Sequence, residues 1–466
     1  MKKIKLLLLL CLSQQLVFSQ TQTICYQSVK QGAYHSFGLK PDGTLWFWGN
    51  NYNGQFGNST TTAIGVYATT PIQVGTTANW QEVFVGPNSS YGIKTNGTLW
   101  SWGSNNEAQL GDGTLVDKLI PTQIGTETNW LTISVSAQGN HVIGLKTNGT
   151  IWSWGRNVQG QLGNGTVGTN YNLIPTQIGI GTTWSKIAAG YFSSFAIKSD
   201  GTLWAWGTNN FGNLGVGNFN DVVAPTQIGT DANWEIIIAG SGHTIGKKTN
   251  GTFYIWGSNT DGALGNGLTS TISSPVQFST ANVWKDFGLG NNHSIGIKLD
   301  GTLWAWGTNF SYQLGNGSTA RELAPIQIGT ASNWDKISTS YASNLVTKTD
   351  GSIYVWGNNS SGQLGDGTLV VKTIPTLINC PVSLNVNQNE RNQGIKLYPN
   401  PVKDLLTIET TISISKVTIY NIMGQEVKNS IGNNSQLDLT DLVYGVYVVK
   451  IANDTLNQVF KIIKRK

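Results

Sequence analysis

Seven Trp-Gly dipeptides, at Trp48, Trp102, Trp154, Trp206, Trp256, Trp306 and Trp356, recur every 50 to 54 residues and govern what this chain can fold into. A period of that size marks supersecondary units that stack because none buries its apolar face alone. The units fill residues 26–378. Five residues before each Trp stands a Gly preceded by Asn or Asp, as at Asp42-Gly43, Asn96-Gly97 and Asp300-Gly301. Such pairs tolerate the positive φ angles of a two-residue hairpin turn, so a β-hairpin is predicted in every unit. The flanks alternate with the period of a strand, as in Ser194–Lys198 and Thr202–Trp206.

Downstream of each hairpin comes a Gly-rich loop such as Gly160-Gln161-Leu162-Gly163, then a Pro at 71, 121, 175, 225, 275, 325 or 375. Proline donates no ladder bond, so the segment around it reads as an outer strand. A further strand opens at Trp80, Trp130, Trp184, Trp234, Trp284 and Trp334, with Tyr26 in the matching place of the first unit. Four short strands per unit and no polar end-cap favour an all-β, closed seven-bladed β-propeller over an open solenoid. With 11% charged residues, 57 Gly and 18 Trp, the composition excludes both a disordered chain and a helix-rich enzyme.

The formal charge of +5 is concentrated at the ends: Lys2, Lys3 and Lys5 at one, and nine Lys/Arg against six Asp/Glu over residues 393–466 at the other. The body between is near neutral and has no basic patch, which argues against nucleic acid as a partner. Residues 1–19 read as a signal peptide: a basic start, the apolar run Leu6–Leu12, and cleavage between Ser19 and Gln20. That run is too short for a transmembrane helix.

The pattern nearly complete in Gly290 to Gly315, Gly-x-x-His-Ser through Asp-Gly-Thr-Leu-Trp-x-Trp-Gly-x-Asn to a Gly-Gln-Leu-Gly-like loop, resembles the RCC1 repeat. The resemblance spans residues 26–378 and implies an RCC1-like seven-bladed β-propeller used as a recognition platform. Tyr398-Pro399-Asn400-Pro401, Ile419–Val427 and Leu442–Lys450 resemble the C-terminal sorting domain of the Bacteroidetes type IX secretion system. This second resemblance implies export through the periplasm and outer membrane, with the type IX machinery as a partner. Its residues alone suggest a small β-sandwich with strands around 405–409, 416–421, 445–451 and 458–463. The organisation is thus 1–19 signal peptide, 20–380 propeller, 381–392 Asn/Gln-rich linker and 393–466 sorting domain.

The search for chemistry yields no catalytic residue and no cofactor or metal site. His35, His141, His243 and His293 occupy one repeat position, filled elsewhere by Ser89, Ser193 and Ser343, which suits a structural hydrogen bond better than a metal. The acids outside the turns, among them Glu82, Glu107, Asp261 and Asp286, form no recurring pair. Variation is concentrated just after each Trp-Gly and just before each His or Ser. Among these positions Tyr34, Tyr52, Tyr191, Phe192, Phe211, Phe310 and Tyr341 are candidate ligand-binding residues, since large side chains on loop tips suit interface anchors. The expected function is an exported or cell-surface protein whose propeller loops recognise an extracellular protein or glycan. The alternative is an extracellular enzyme acting on polysaccharide at the propeller centre. After signal removal, Cys25 and Cys380 flank the ring, where closure brings its ends together, so a disulfide between them is expected.

Overall fold

The computed structural model describes residues 25–378 and 395–465, apart from 76–78, 169–170, 182, 280–282, 411–412, 422–425, 433–434 and 454–456. The signal segment with Ser19 and Gln20, the 381–392 linker and Cys380 lie outside the described residues.

Each repeat forms one four-stranded antiparallel sheet from consecutive strands, seven in all. In the sixth blade the strands are Trp284–Leu289, His293–Lys298, Leu303–Gly307 and Glu322–Gln327, ordered from the ring centre outward. The innermost strands of all seven blades line the central channel. The second and third strands carry the core, and the proline strand is the outer edge. There the ladder breaks register, as between Ser101 and Gly103 opposite Lys118–Gln123. The proline therefore sits beside a bulge, where its missing donor costs least.

The hairpin differs in detail from a two-residue turn. Gly43 N–H bonds Lys40 O at 2.9 Å and Lys40 N–H bonds Thr44 O at 3.0 Å, making a longer connection. Only the Gly takes positive φ, 78° at Gly43 and 84° at Gly251. The preceding Asp or Asn acts through its side chain instead: Asp42 Oδ1 accepts from the Thr44 N–H at 2.9 Å and hydroxyl at 2.6 Å. The same local cap recurs in the other six blades, for example at Asn148 and Asp300. Beside each hairpin the Lys ending the second strand lies over aromatic rings of its own blade. Lys146 Nζ is 3.4 Å from the Trp152 ring centre and 4.7 Å from that of Trp130.

The tryptophans of the Trp-Gly dipeptides are fully buried and join neighbouring blades. Each indole donates to a backbone carbonyl in the Gly-rich loop of the preceding blade, Trp102 to Gln55 at 2.9 Å, Trp206 to Gln161 at 2.9 Å and Trp306 to Ala263 at 2.8 Å. The loop's last Gly is required by this approach, because a Cβ on Gly163 would lie 2.6 Å from the Trp206 indole nitrogen. Burying one indole contributes about 4–6 kcal/mol, taking roughly 150–250 Å² at about 25 cal/mol per Å².

The same contact closes the ring. Trp48 of the first blade donates to Gln363 O of the seventh at 2.9 Å, and Gly367 N–H reaches Thr69 O at 2.8 Å. Among the described residues no strand is exchanged across this seam. Cys25, Tyr26, Trp46 and Trp48 share one apolar cluster with Leu345, Val355, Leu364 and Ile378.

Residues 395–465 form two further sheets around one core that includes Ile395, Leu406, Ile419, Val449 and Ile462. The expected strands are present as Leu405–Thr410, Lys416–Asn421, Gly445–Ala452 and Asn457–Lys464. Ile395–Tyr398, Glu426–Ile431 and Gln436–Asp438 are additional. Among the described residues no helix is long and apolar enough to cross a membrane.

Candidate recognition face

The two variable segments of every repeat lie on the same end of the propeller. The first connects the innermost strand to the second; the other connects the third strand to the outer one. They are tied together by a backbone bond in each blade, Asn50 N–H to Tyr34 O at 2.9 Å, Thr208 N–H to Phe192 O at 2.8 Å and Thr308 N–H to Asn292 O at 2.8 Å. Beneath them a buried Asn braces the Gly-rich loop: Asn309 Oδ1 accepts from Leu314 N–H at 2.9 Å while its Nδ2 donates to Ser318 O at 2.7 Å. This bracing recurs in all seven blades, so the tips vary on a fixed base.

Of the seven sequence-derived candidates, Tyr34, Tyr52, Tyr191, Phe211, Phe310 and Tyr341 are exposed, Phe310 by 76%. Phe192 is half-buried, stacked on Tyr191 with ring centres 3.8 Å apart. The Arg156 guanidinium lies 5.2 Å from the Phe192 ring and pairs with Glu107 at 2.6 Å. Glu107 also accepts from Asn140 of the next blade. An equivalent seam contact joins Asp261 to Asn292 at 3.2 Å, and a side chain at Gly242 would meet the Phe211 ring of the blade before. The fifth position after each Trp thus faces the neighbouring blade at these seams, whereas the fourth, with Tyr52 and Phe310, faces outward.

A second apolar set, absent from the sequence-derived list, rims the same face: Ile64, Val116, Val167, Phe219, Leu268 and Val370, each more than half exposed. Its signal is an apolar residue within a few positions of the Gly-rich loop, where a turn would ordinarily be polar.

The histidines lie just below this face and are hydrogen-bonded into the blade seams. His35 Nε2 is 3.0 Å from Ser90 Oγ, which itself donates to Gln55 O at 2.8 Å, the carbonyl that also receives the Trp102 indole. That hydroxyl proton is committed, so the imidazole carries its proton on Nε2 and donates. His141 and His243 repeat the arrangement with Ser194 and Ser294, and His293 donates to Asn344 Oδ1 at 2.9 Å. Burial pushes the imidazoles down to about 3 at His35 and His243 and about 4 at His141 and His293. They are neutral structural donors. The acids are likewise engaged locally: Asp117 and Asp221 accept from the Asn105 and Asn209 backbone at 2.7 Å, and Asp335 pairs with Lys285 at 2.7 Å.

Comparison with known proteins agrees with this geometry. Residues 11–344 match the RCC1-like domain, residues 350–388 the Regulator of chromosome condensation (RCC1) repeat, and residues 396–465 the Secretion system C-terminal sorting domain. The chain is 32% identical over 190 residues to the ultraviolet-B receptor UVR8 of Arabidopsis thaliana, spanning 40% of this chain and 42% of the receptor. It is 32% identical over 126 residues to human Protein RCC2, spanning 26% and 24%. The chain therefore covers less than half the length of these curated relatives. Human WBSCR16 superimposes with a TM-score of 0.64 at 19% identity, over 72% of this chain and 94% of that one. Prp20p of Saccharomyces cerevisiae gives 0.60 at 22%, over 67% and 80%. These two likenesses speak to fold alone. On the seven repeated sheets, their common seam and the matched span, the chain belongs to the RCC1-like domain family, with a secretion system sorting domain following its propeller.

Proposed function

We propose that this is a non-catalytic binding protein, exported through the type IX machinery and displayed outside the cell. Its propeller engages an extracellular protein or glycan with the face that carries the variable loops. The observation that carries this reading is the convergence of exposed Tyr34, Tyr52, Tyr191, Phe310 and Tyr341 with the apolar rim on one end of a rigid ring. Apolar surface of that extent, rimmed by polar loops, is what interfaces present before they are covered. The near-neutral body and the sorting domain support an address outside the cytosol rather than a nucleic-acid role.

The test uses the full mature protein, immobilised and exposed to secreted proteins and to a glycan array. A partner should be retained by the native chain. Replacing Tyr52, Phe211 and Phe310 together by Ala should weaken its retention by several kcal/mol, since single hot spots reach about 2 kcal/mol or more. Unchanged affinity in that triple variant, with the fold intact, would overturn the assignment of the face. For the address, removing residues 393–466 should leave a folded propeller in the periplasm; normal arrival in the medium or at the surface would refute it.

A further inference from the structure

The tips of the loop face differ in height. Just before the His or Ser of six repeats the chain places a Tyr, Phe or Asn, whereas the fifth repeat has Ser241-Gly242, the smallest pair in the ring. That loop is wedged between its neighbours: a Cβ on Gly190 would lie 2.9 Å from Gly240 O, and Ser241 N–H bonds Gly290 O at 3.4 Å. A low tip of Gly and Ser therefore lies between Tyr191 and Phe192 of the fourth blade and Asn291 and Asn292 of the sixth. The result is a notch in the face.

The near wall is aromatic. Phe211 leans across the seam, with two ring atoms 3.6 and 4.0 Å from where a Cβ on Gly242 would stand, so a larger side chain there would crowd the ring. The Gly242 backbone backs the ring, and 51% of Phe211 stays exposed. Tyr191 belongs to the same blade and is held by its stack on Phe192. The far wall is polar. Asn291 is half-buried, its N–H is fixed on Tyr341 O at 3.2 Å, and among the described residues its side-chain amide has no partner. Arg321 places one nitrogen 3.3 Å from Thr260 O and 3.7 Å from Asp261, and its other N–H groups are likewise without a partner among the described residues. Asp261 braces this wall through Asn292 at 3.2 Å.

We propose that the notch is a subsite for a neutral carbohydrate chain, an inference that rests on the loop face being the binding face. A pyranose has one surface of C–H groups and a rim of hydroxyls. Its C–H surface stacks on Phe211, whose ring face carries partial negative charge, and the next sugar reaches Tyr191. Its hydroxyls bond the Asn291 amide, which both donates and accepts, and the Arg321 N–H groups, which donate. A protein anchor needs a closed pocket that strips its side chain of water. Here the rings face an open wall of amide and guanidinium, which suits a flat ligand with an apolar surface and a polar edge.

Calorimetric titration of the full mature protein tests this with cellohexaose, mannohexaose, xylohexaose and chitohexaose as probes. At least one should bind saturably. Phe211→Ala and Asn291→Ala should each weaken that binding by at least about tenfold, as loss of an anchor does, while Phe211→Tyr retains it. Gly242→Val should weaken it as well, by crowding the Phe211 ring. The proposal is overturned if none of the four probes binds saturably, or if Phe211→Ala binds like the native chain. A protein partner retained by the native chain and lost by the Tyr52, Phe211 and Phe310 triple variant, with no oligosaccharide bound, would overturn the carbohydrate reading and leave the loop face standing.

Discussion

Acidification should open this ring in a pH window set by four histidines. His35, His141, His243 and His293 are at most 1% exposed, and each donates from Nε2 across a blade seam while its Nδ1 has no partner. A second proton would make a buried charge that the Pro87 backbone near His35 and the Ser193 backbone near His141 offset only in part, which is why burial holds the four imidazoles at about 3 to 4. In the unfolded chain the ordinary value is about 6.5. Between those limits the unfolded state binds more protons, so the stabilisation is fully present above pH 6.5 and is lost as pH falls. Each imidazole contributes on the order of 2 kcal/mol between pH 6.5 and 4.5, and the four together on the order of 10 kcal/mol. That is comparable to the whole stability of a typical domain, about 5–15 kcal/mol. Asp112 and Asp366, held low despite burial by the Lys118 and Lys372 ammonium groups and nearby hydroxyls, lose their contribution only below the ordinary carboxylate range. Glu82 and Asp286, raised by burial, act in the opposite sense and are relieved by acid. Urea unfolding followed by tryptophan fluorescence from pH 7 to 4.5 measures the slope, and a variant with all four His replaced by Gln should flatten it. Should that variant not fold, NMR titration of the native imidazoles provides the check. A native chain losing less than about 3 kcal/mol across the window, or imidazoles that charge near pH 6.5 in the folded protein, would refute the reasoning.

Thiol titration of the denatured, unreduced mature protein should find no free cysteine. Cys25 lies in the closing-seam cluster with Ile378, two residues before Cys380 in the sequence, and two reactive thiols would refute the clasp. Reducing the expected bond should lower stability by on the order of 5 kcal/mol on the loop-entropy estimate. Trp48→Phe and Trp102→Phe should each cost about 1–3 kcal/mol in chemical unfolding, because each removes one of two donors to a buried carbonyl, the Ser36 or Ser90 hydroxyl remaining, and leaves a cavity where the larger ring stood. A Trp48 variant that costs nothing while its Trp102 counterpart is destabilised would mean that the ring is not closed as described. Lys146→Met should cost about 1–2 kcal/mol by removing a nearly buried ammonium from between two indoles, and an unchanged melting temperature would refute that contribution.

The division between what the chain spells out and what it conceals follows the range of the interactions. Hairpin glycines, proline edges and the Trp-Gly period are local, each fixed by the backbone freedom or missing donor of a residue within its own blade, and all were readable. The turn type is not legible from the dipeptide, because Asp-Gly and Asn-Gly serve two geometries. Here the side chain of Asp42 does work that a positive φ at that residue would otherwise require. In the sorting domain, the strand Glu426–Ile431 is hidden in the sequence because its residues Glu-Val-Lys-Asn-Ser-Ile lack a clean apolar alternation. Seam bonds are harder to read, since His35 and Ser90 stand in different repeats, and only the ring places them 3.0 Å apart.

That long-range logic also sorts the variable positions. Glu107 and Asp261 vary as ligand-binding residues would, but each carboxylate is matched to Asn140 or Asn292 of the blade that follows, whereas Phe211 borders Gly242 of the next blade and keeps half its surface exposed to a partner. Variation at the two carboxylates preserves a seam. Tyr52 and Phe310, one position earlier, have exposed side chains free of such a match and therefore remain available to a partner. The channel obeys the same rule from the inside. Lys30, Glu82, Thr132 and Ser338 look unrelated in the sequence because each blade lends the channel different side chains, and a lining assembled in that way leaves no motif within any single repeat.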